Sequence, residues 1–174
     1  NINGDKSVNY WKNTKKFVVS LLKDYYGESA TAENDFLFNN LPKTSGDYSH
    51  MALFTAMDEG IIKGLICMGQ NPAVGGPNAE HERSALEKLD WLIVADLWET
   101  ETAVFWKRDG VTPSTIKTEV FLLPAASSFE KEGSISNSGR WVQWRYQAIN
   151  PPGNAKSDAW MLHRLGAMLQ FLYL

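Results

Sequence analysis

Cys67 is the only cysteine among the 174 residues. That excludes an internal disulfide and any all-cysteine iron–sulfur or zinc site within this chain, because such sites need several thiolates. Its setting in the apolar run GLICMG suits a buried, inert thiol. Histidine is nearly as scarce: His50, His81 and His163 stand apart without HxxxH spacing, so no metal site built from this chain alone is expected. No apolar run reaches the roughly 18–20 residues of a membrane span, and no basic-then-apolar leader opens the sequence. There is no excess of positive charge either. A net charge of −3 gives no general reason to bind nucleic acid, and any anionic ligand must be held locally. The phosphate-binding patterns GxGxxG and GxxxxGK[ST] are missing. Ser127 and Ser128 lack a nucleophile-elbow context, so no Ser/His/Asp arrangement can be argued.

What is present suits one core of ordinary domain size, with 44% hydrophobic and 21% charged residues. Residues 63–96 (KGLICMGQNPAVGGPNAEHERSALEKLDWLIVAD) read as strand, loop, helix and a second strand that stops on a carboxylate. In open α/β sheets ligands settle where parallel strands end and loops begin. Function is therefore expected at Gly69–Gly76 and Asp96.

Along the rest of the chain, residues 9–26 predict an amphipathic helix, with Trp11, Phe17, Val18, Leu21, Leu22 and Tyr25 at helical intervals and Gly27 as its stop. Thr31 or Asn34 can cap a following turn, and residues 35–49 read as a packed loop. Ser49 then opens a helix ending at Gly60, followed by a strand over 62–68. A helix over 79–88, capped by Asn78 or Asn71, carries Glu80 and Glu82 near its positive end. Strands over 91–95 and 119–123 follow, with a short helix expected over 99–105. All three strands should run parallel. Residues 127–146 read as surface loop with an extended piece near 141–146, whose Arg140, Trp141, Trp144, Arg145 and Tyr146 suit packing against a neighbouring domain. Three stretches are expected: residues 1–60 helical and packing on the sheet, 61–126 the dinucleotide-binding core, and 127–174 a loop and final helix.

The start at Asn1 without Met, and the run AWMLHRLGAMLQFLYL, apolar on nearly every side, suggest a fragment of a larger multidomain subunit whose last helix is buried on several faces.

In GQNPAVGG, Gly69 allows close backbone approach, Asn71 offers donors and an acceptor, and Pro72 stiffens the turn; the loop suits a diphosphate, and equally a tight connection without ligand. Asp96 can accept two hydrogen bonds from a guanine edge or a ribose diol, or it can cap the expected 99–105 helix. Lys131, among Gly133, Asn137 and Gly139, can reach a phosphate or a ring edge, or remain solvated beside Glu130 and Glu132. Asp158 most simply caps the last helix. None of these groups performs catalysis by itself.

Taken together, Met68-Gly69-Gln70-Asn71-Pro72, then LDWLIVADLWETETA at 89–103, then FEKEGSISNSGRWVQWR at 129–145, resemble the molybdopterin-guanine-dinucleotide-binding region of the large subunit of molybdenum and tungsten oxidoreductases. The stretch NYWKNTKKFVVSLLKDYYGESATAENDF at 9–36, with Gly139-Arg140-Trp141, resembles the major subunit of respiratory formate dehydrogenases in particular.

The resemblance implies an α/β, Rossmann-like parallel sheet flanked by helices, holding one of two pterin guanine dinucleotides. By matching position it implies cofactor contacts at Gly69, Gln70, Asn71, Pro72, Ala95, Asp96, Lys131 and Asp158. Asp96 would read the guanosine end, with the 69–72 backbone along the diphosphate. It also implies molybdenum or tungsten, an iron–sulfur cluster and a cysteine or selenocysteine ligand elsewhere in the subunit. Formate would be the substrate, an iron–sulfur subunit and a membrane cytochrome subunit the partners, and the periplasm the location. The cluster motif, the metal ligand and the catalytic His and Arg have no counterpart here. A stand-alone α/β nucleotide-binding or regulatory module, and the equivalent region of another molybdenum oxidoreductase, are the alternatives.

Overall fold

The structure is a computed structural model that describes residues 10–43, 46–139 and 141–173. Its contacts divide the chain into two compact units, residues 1–47 and 48–174. In the first, α1 (Tyr10–Tyr26) is followed by a 3₁₀ segment, Ala32–Asn40. Leu22 and Ala30 are buried, and Lys23 lies over the Phe36 ring at 5.5 Å. The Thr31 N–H donates to the Asn34 side-chain oxygen at 3.1 Å, so these two residues do cap the turn. The loop expected after residue 35 includes a tight left-handed stretch at Asp35, Phe36 and Leu37.

The second unit begins with α2 (His50–Asp58), whose N-cap is Ser49 as the sequence predicts. Strand β1 (Gly64–Met68), the single turn α3 (Pro72–Gly75), α4 (Ala79–Leu86), β2 (Trp91–Asp96) and β3 (Glu119–Pro124) follow. The side chain of Asn78 caps α4 by accepting the His81 N–H. The three strands form one parallel sheet in the order β1-β2-β3. That is the expected α/β architecture, a parallel sheet flanked by helices.

The core lies between sheet and helices. Phe54 and Met57 from α2, Ala85 and Leu86 from α4, and Cys67, Leu92 and Val94 from the strands are buried together with Ala73, Ala103 and Phe105. Burying each large member contributes about 1.5–3 kcal/mol. Opposite positions along the strands, including Ile66, Trp91, Phe121 and Leu123, are exposed.

Two expectations are corrected. No helix forms over 99–105; a turn leads into a 3₁₀ segment at Phe105–Lys107, because Thr102 bonds across to the 71–73 loop instead of supporting a helical ladder. The extended piece near 141–146 forms as β5 (Val142–Arg145), but residues 133–136, expected as surface loop, are a strand, β4 (Gly133–Ser136), that pairs with it in an antiparallel hairpin; Arg140, expected to pack against a neighbouring domain, lies outside the described residues. The final helix, α5 (Asp158–Tyr173), carries no buried residue within this chain; Trp160, Leu165 and Met168 are exposed here. No helix among the described residues is long and apolar enough to cross a membrane.

Candidate functional site

Parallel register brings the carboxyl ends of the strands side by side. Met68 pairs with Ala95 and Asp96 with Pro124. Beyond the ladder, the Gly69 N–H donates to the Ala95 carbonyl at 3.0 Å and the Ala125 N–H donates to the Asp96 carbonyl at 2.9 Å. The start of the 69–76 loop and the Asp96 strand end are therefore immediate neighbours, as residues 63–96 predict.

Gly69 has φ +61 with open space where a Cβ would stand, a conformation that favours glycine and leaves the backbone approachable. Asp96 is half-buried. One carboxylate oxygen, Oδ1, accepts the Leu97 N–H at 2.8 Å; no bond to Oδ2 forms among the described residues. Since no helix follows, the capping alternative for Asp96 is not realised, and an acceptor oxygen remains at the strand end.

Within the protein, Asn71 uses the donors and acceptor that it offers. Its carbonyl accepts the Thr102 N–H at 3.1 Å and the Thr102 hydroxyl at 2.7 Å, while its amide donates to Glu101 at 2.6 Å. Thr102 Oγ1 in turn accepts the Ala73 N–H at 3.1 Å. The side chain of Asn71 thus ties the loop to the 101–103 turn, leaving Gln70 exposed and Pro72 buried beside it. The Glu101 carboxyl is held below its ordinary range by its own backbone N–H and by Asn71. No sequence pattern announced Thr102 and Glu101, which act only through residues some 30 positions away.

Lys131 and Asp158 meet through a second route. Ala125 forms a parallel bridge with Lys156; the Ala126 N–H donates to the Lys156 carbonyl and the Lys156 N–H to the Pro124 carbonyl. This extends the strand-end row and delivers Asp158 to Lys131, with which it forms an ion pair. Asp158 is the first residue of α5, not its cap; the Ser157 hydroxyl accepts the Trp160 N–H. A cavity of about 480 Å³ opens here, lined by Lys131, Glu132, Gly133, Arg145 and Asp158 among others. Arg145 lines it because β5 pairs it opposite Gly133; the sequence pattern favours packing against a neighbouring domain for this residue and does not single it out as a site residue. The main-chain row thus links both predicted clusters, while Ala95 is buried and contributes through its carbonyl.

Cys67 is buried, as predicted, and its thiol is pushed up to about 11, first by burial and then by the charge of Asp96. Among the described residues no group of His, Cys, Asp and Glu could hold a metal ion.

The family model described as Molybdopterin oxidoreductase matches residues 12–168. Formate dehydrogenase 2 subunit alpha (cytochrome c-553) of Nitratidesulfovibrio vulgaris is 47% identical over 169 residues, 96% of this chain and 17% of that protein. The nitrate-inducible formate dehydrogenase major subunit of Escherichia coli is 42% identical over 170 residues, 95% of this chain and 17% of its own length. Formate dehydrogenase subunit alpha of Megalodesulfovibrio gigas is 43% identical over 169 residues, 96% of this chain and 16% of its own. The chain thus corresponds to about a sixth of the length of these relatives.

Proposed function

The chain belongs to the molybdopterin oxidoreductase family, and from that premise we propose that it holds one pterin guanine dinucleotide within the large subunit of a formate dehydrogenase. The adjacency of Gly69 and Asp96, through the Gly69 N–H to Ala95 carbonyl bond of 3.0 Å, carries this reading. The donor set fits the group. An approachable glycine backbone stands beside a carboxylate with an unused oxygen, which suits a diphosphate next to a guanine or ribose edge.

In this reading the 69–72 backbone lies along the diphosphate, with Asn71 holding the loop's shape through Thr102. Asp96 accepts from the guanosine end. Lys131 offsets ligand charge while Asp158 contacts a donor edge, each moderated by their mutual ion pair. When bound, the pterin-held molybdenum or tungsten supplies the two-electron oxidation of formate to carbon dioxide, releasing a proton and passing electrons to iron–sulfur clusters. This chain's residues bind and orient. The partners are the rest of the large subunit, an iron–sulfur subunit and a membrane cytochrome; the setting is the periplasmic face of an anaerobic respiratory complex. The relatives' names, alpha or major subunits with one printed together with cytochrome c-553, support a multisubunit assembly; the iron–sulfur and membrane cytochrome partners and the periplasmic setting rest on the resemblance.

The test is Asp96→Ala in the complete subunit, with acid-released guanine nucleotide counted per polypeptide alongside formate oxidation. Both should fall together, as a buried donor edge loses its acceptor at a cost of about 1–3 kcal/mol. Full nucleotide content in that variant would overturn the assignment.

A further inference from the structure

Glu82 on α4 has a side chain 0% exposed, yet only one of its oxygens is used. Oε1 meets His50 Nε2 at 2.9 Å, and Oε2 is buried without a hydrogen-bond partner. Such an oxygen is costly to leave unmade and rare in folded proteins. The backbone of Gly76 lies directly against the same carboxylate, since a Cβ there would stand 1.6 Å from Oε2. Gly76 is also a wall of a cavity of about 430 Å³ lined by His50, Gln70, Asn71, Pro72 and Pro77. The His50 ring packs on Phe54 at 4.7 Å between centroids, with 43% of its side chain exposed. A buried carboxylate therefore holds a half-exposed imidazole at the mouth of the loop assigned to the diphosphate.

We infer that His50 touches an anionic oxygen of the ligand through Nδ1, and that Glu82 is the positioning residue that orients the ring. This rests on the cofactor reading above. A carboxylate accepts, so Nε2 carries a proton toward Glu82 and Nδ1 is the ring's remaining polar atom. Protonated, Nδ1 donates to an anion; unprotonated, it presents a lone pair and repels one. Ligand binding thus draws a proton onto the ring, and the hold weakens when that proton is lost. Of the other charged and titratable groups on these elements, Glu80 and His81 share α4 with Glu82, and Glu80 lines a different cavity. Arg83 donates to the Ala73 carbonyl, Glu101 accepts from Asn71, and Asp58 and Glu59 close the opposite end of α2.

The experiment compares complete subunits carrying His50→Ala, His50→Gln, Glu82→Gln and Asp96→Ala, measuring acid-released guanine nucleotide retained after gel filtration between about pH 6 and pH 8. Wild type should lose nucleotide faster at higher pH. His50→Ala should lose it about tenfold faster at low pH, with the dependence on pH gone. His50→Gln, which can donate at any pH, should recover part of the retention on a flat profile, and Glu82→Gln should keep a weakened slope. A packing role alone would not flatten the profile. Wild-type retention and slope in both His50 variants, with loss in Asp96→Ala, would overturn this inference and leave the cofactor reading standing. Wild-type retention in the His50 and Asp96 variants alike would overturn both. Should His50→Ala fail to fold, a wild-type slope in His50→Gln overturns the inference by itself.

Discussion

The Asn71 side-chain carbonyl takes both the N–H and the hydroxyl of Thr102, at 3.1 and 2.7 Å, so the loop after β1 is tied by one amide to the turn after β2. Thr102 is fully buried and also accepts the Ala73 N–H. Thr102→Val keeps the shape but removes the hydroxyl, leaving the buried Ala73 N–H without its acceptor and the Asn71 carbonyl with one donor instead of two. The expected cost is about 1–3 kcal/mol, concentrated locally. Hydrogen exchange of amides in residues 71–76 should quicken in the subunit carrying Thr102→Val, while Thr102→Ser stays close to wild type. Unchanged exchange in Thr102→Val would show that the tie does not hold the loop.

A second prediction concerns Gly76 and Glu82. A methyl at Gly76 would overlap the Glu82 carboxylate at 1.6 Å, and Glu82 cannot swing into solvent because its side chain is fully buried. Gly76→Ala should destabilise by about 1–3 kcal/mol as loop and helix are pushed apart. Adding Glu82→Ala removes the obstructing atoms, so the double variant should be more stable than the sum of the two single losses. Thermal unfolding of the four proteins measures the coupling. Strict additivity would mean that the loop is free to lift away from α4.

Periodicity and punctuation made much of this legible in advance. The runs GLICM, WLIVA and EVFLL announce parallel strands by their unbroken apolarity, although β3 carries no buried residue in this chain; Ser49 and Asn78 mark helix starts, and Gly69 and Asp96 mark the neighbouring strand ends. Tertiary pairing was not legible. Thr102 looked like a helix residue because its bond to Asn71 lies 31 positions away, and nothing local tells it from any other threonine. Asp158 looked like a cap because the Lys156 bridge to Ala125 that aims it at Lys131 is a long-range contact. Glu82 fitted a favourable first-turn carboxylate, and its burial depends on Gly76 and His50 arriving from other elements. The apolar surface of α5 is equally a matter of context. Helical spacing shows which residues are apolar, whereas the packing around them decides what they meet.

The third prediction follows from Cys67 and Asp96. Burial, then the carboxylate of Asp96, raises the Cys67 thiol from 9.0 to about 11. The protonated thiol is the favoured folded form, so the unfolded chain, ionising near its ordinary value, gains charge first as pH rises. The stability linked to this group is therefore complete below about pH 9 and is lost progressively toward pH 11, at no more than about 1.4 kcal/mol per pH unit. Cys67→Ala should flatten unfolding free energy across that window, apart from an offset for the smaller side chain. Alkylation supplies the second measure. At neutral pH Cys67 should react far more slowly than a free thiol, because both access and thiolate fraction are low. Asp96→Asn removes the charge contribution but not the burial, so it should lower the pH at which alkylation begins without making the thiol ordinary. Alkylation of Cys67 at neutral pH as fast as a free thiol, or an onset unmoved by Asp96→Asn, would show that the carboxylate does not face the sulfur from the end of the neighbouring strand.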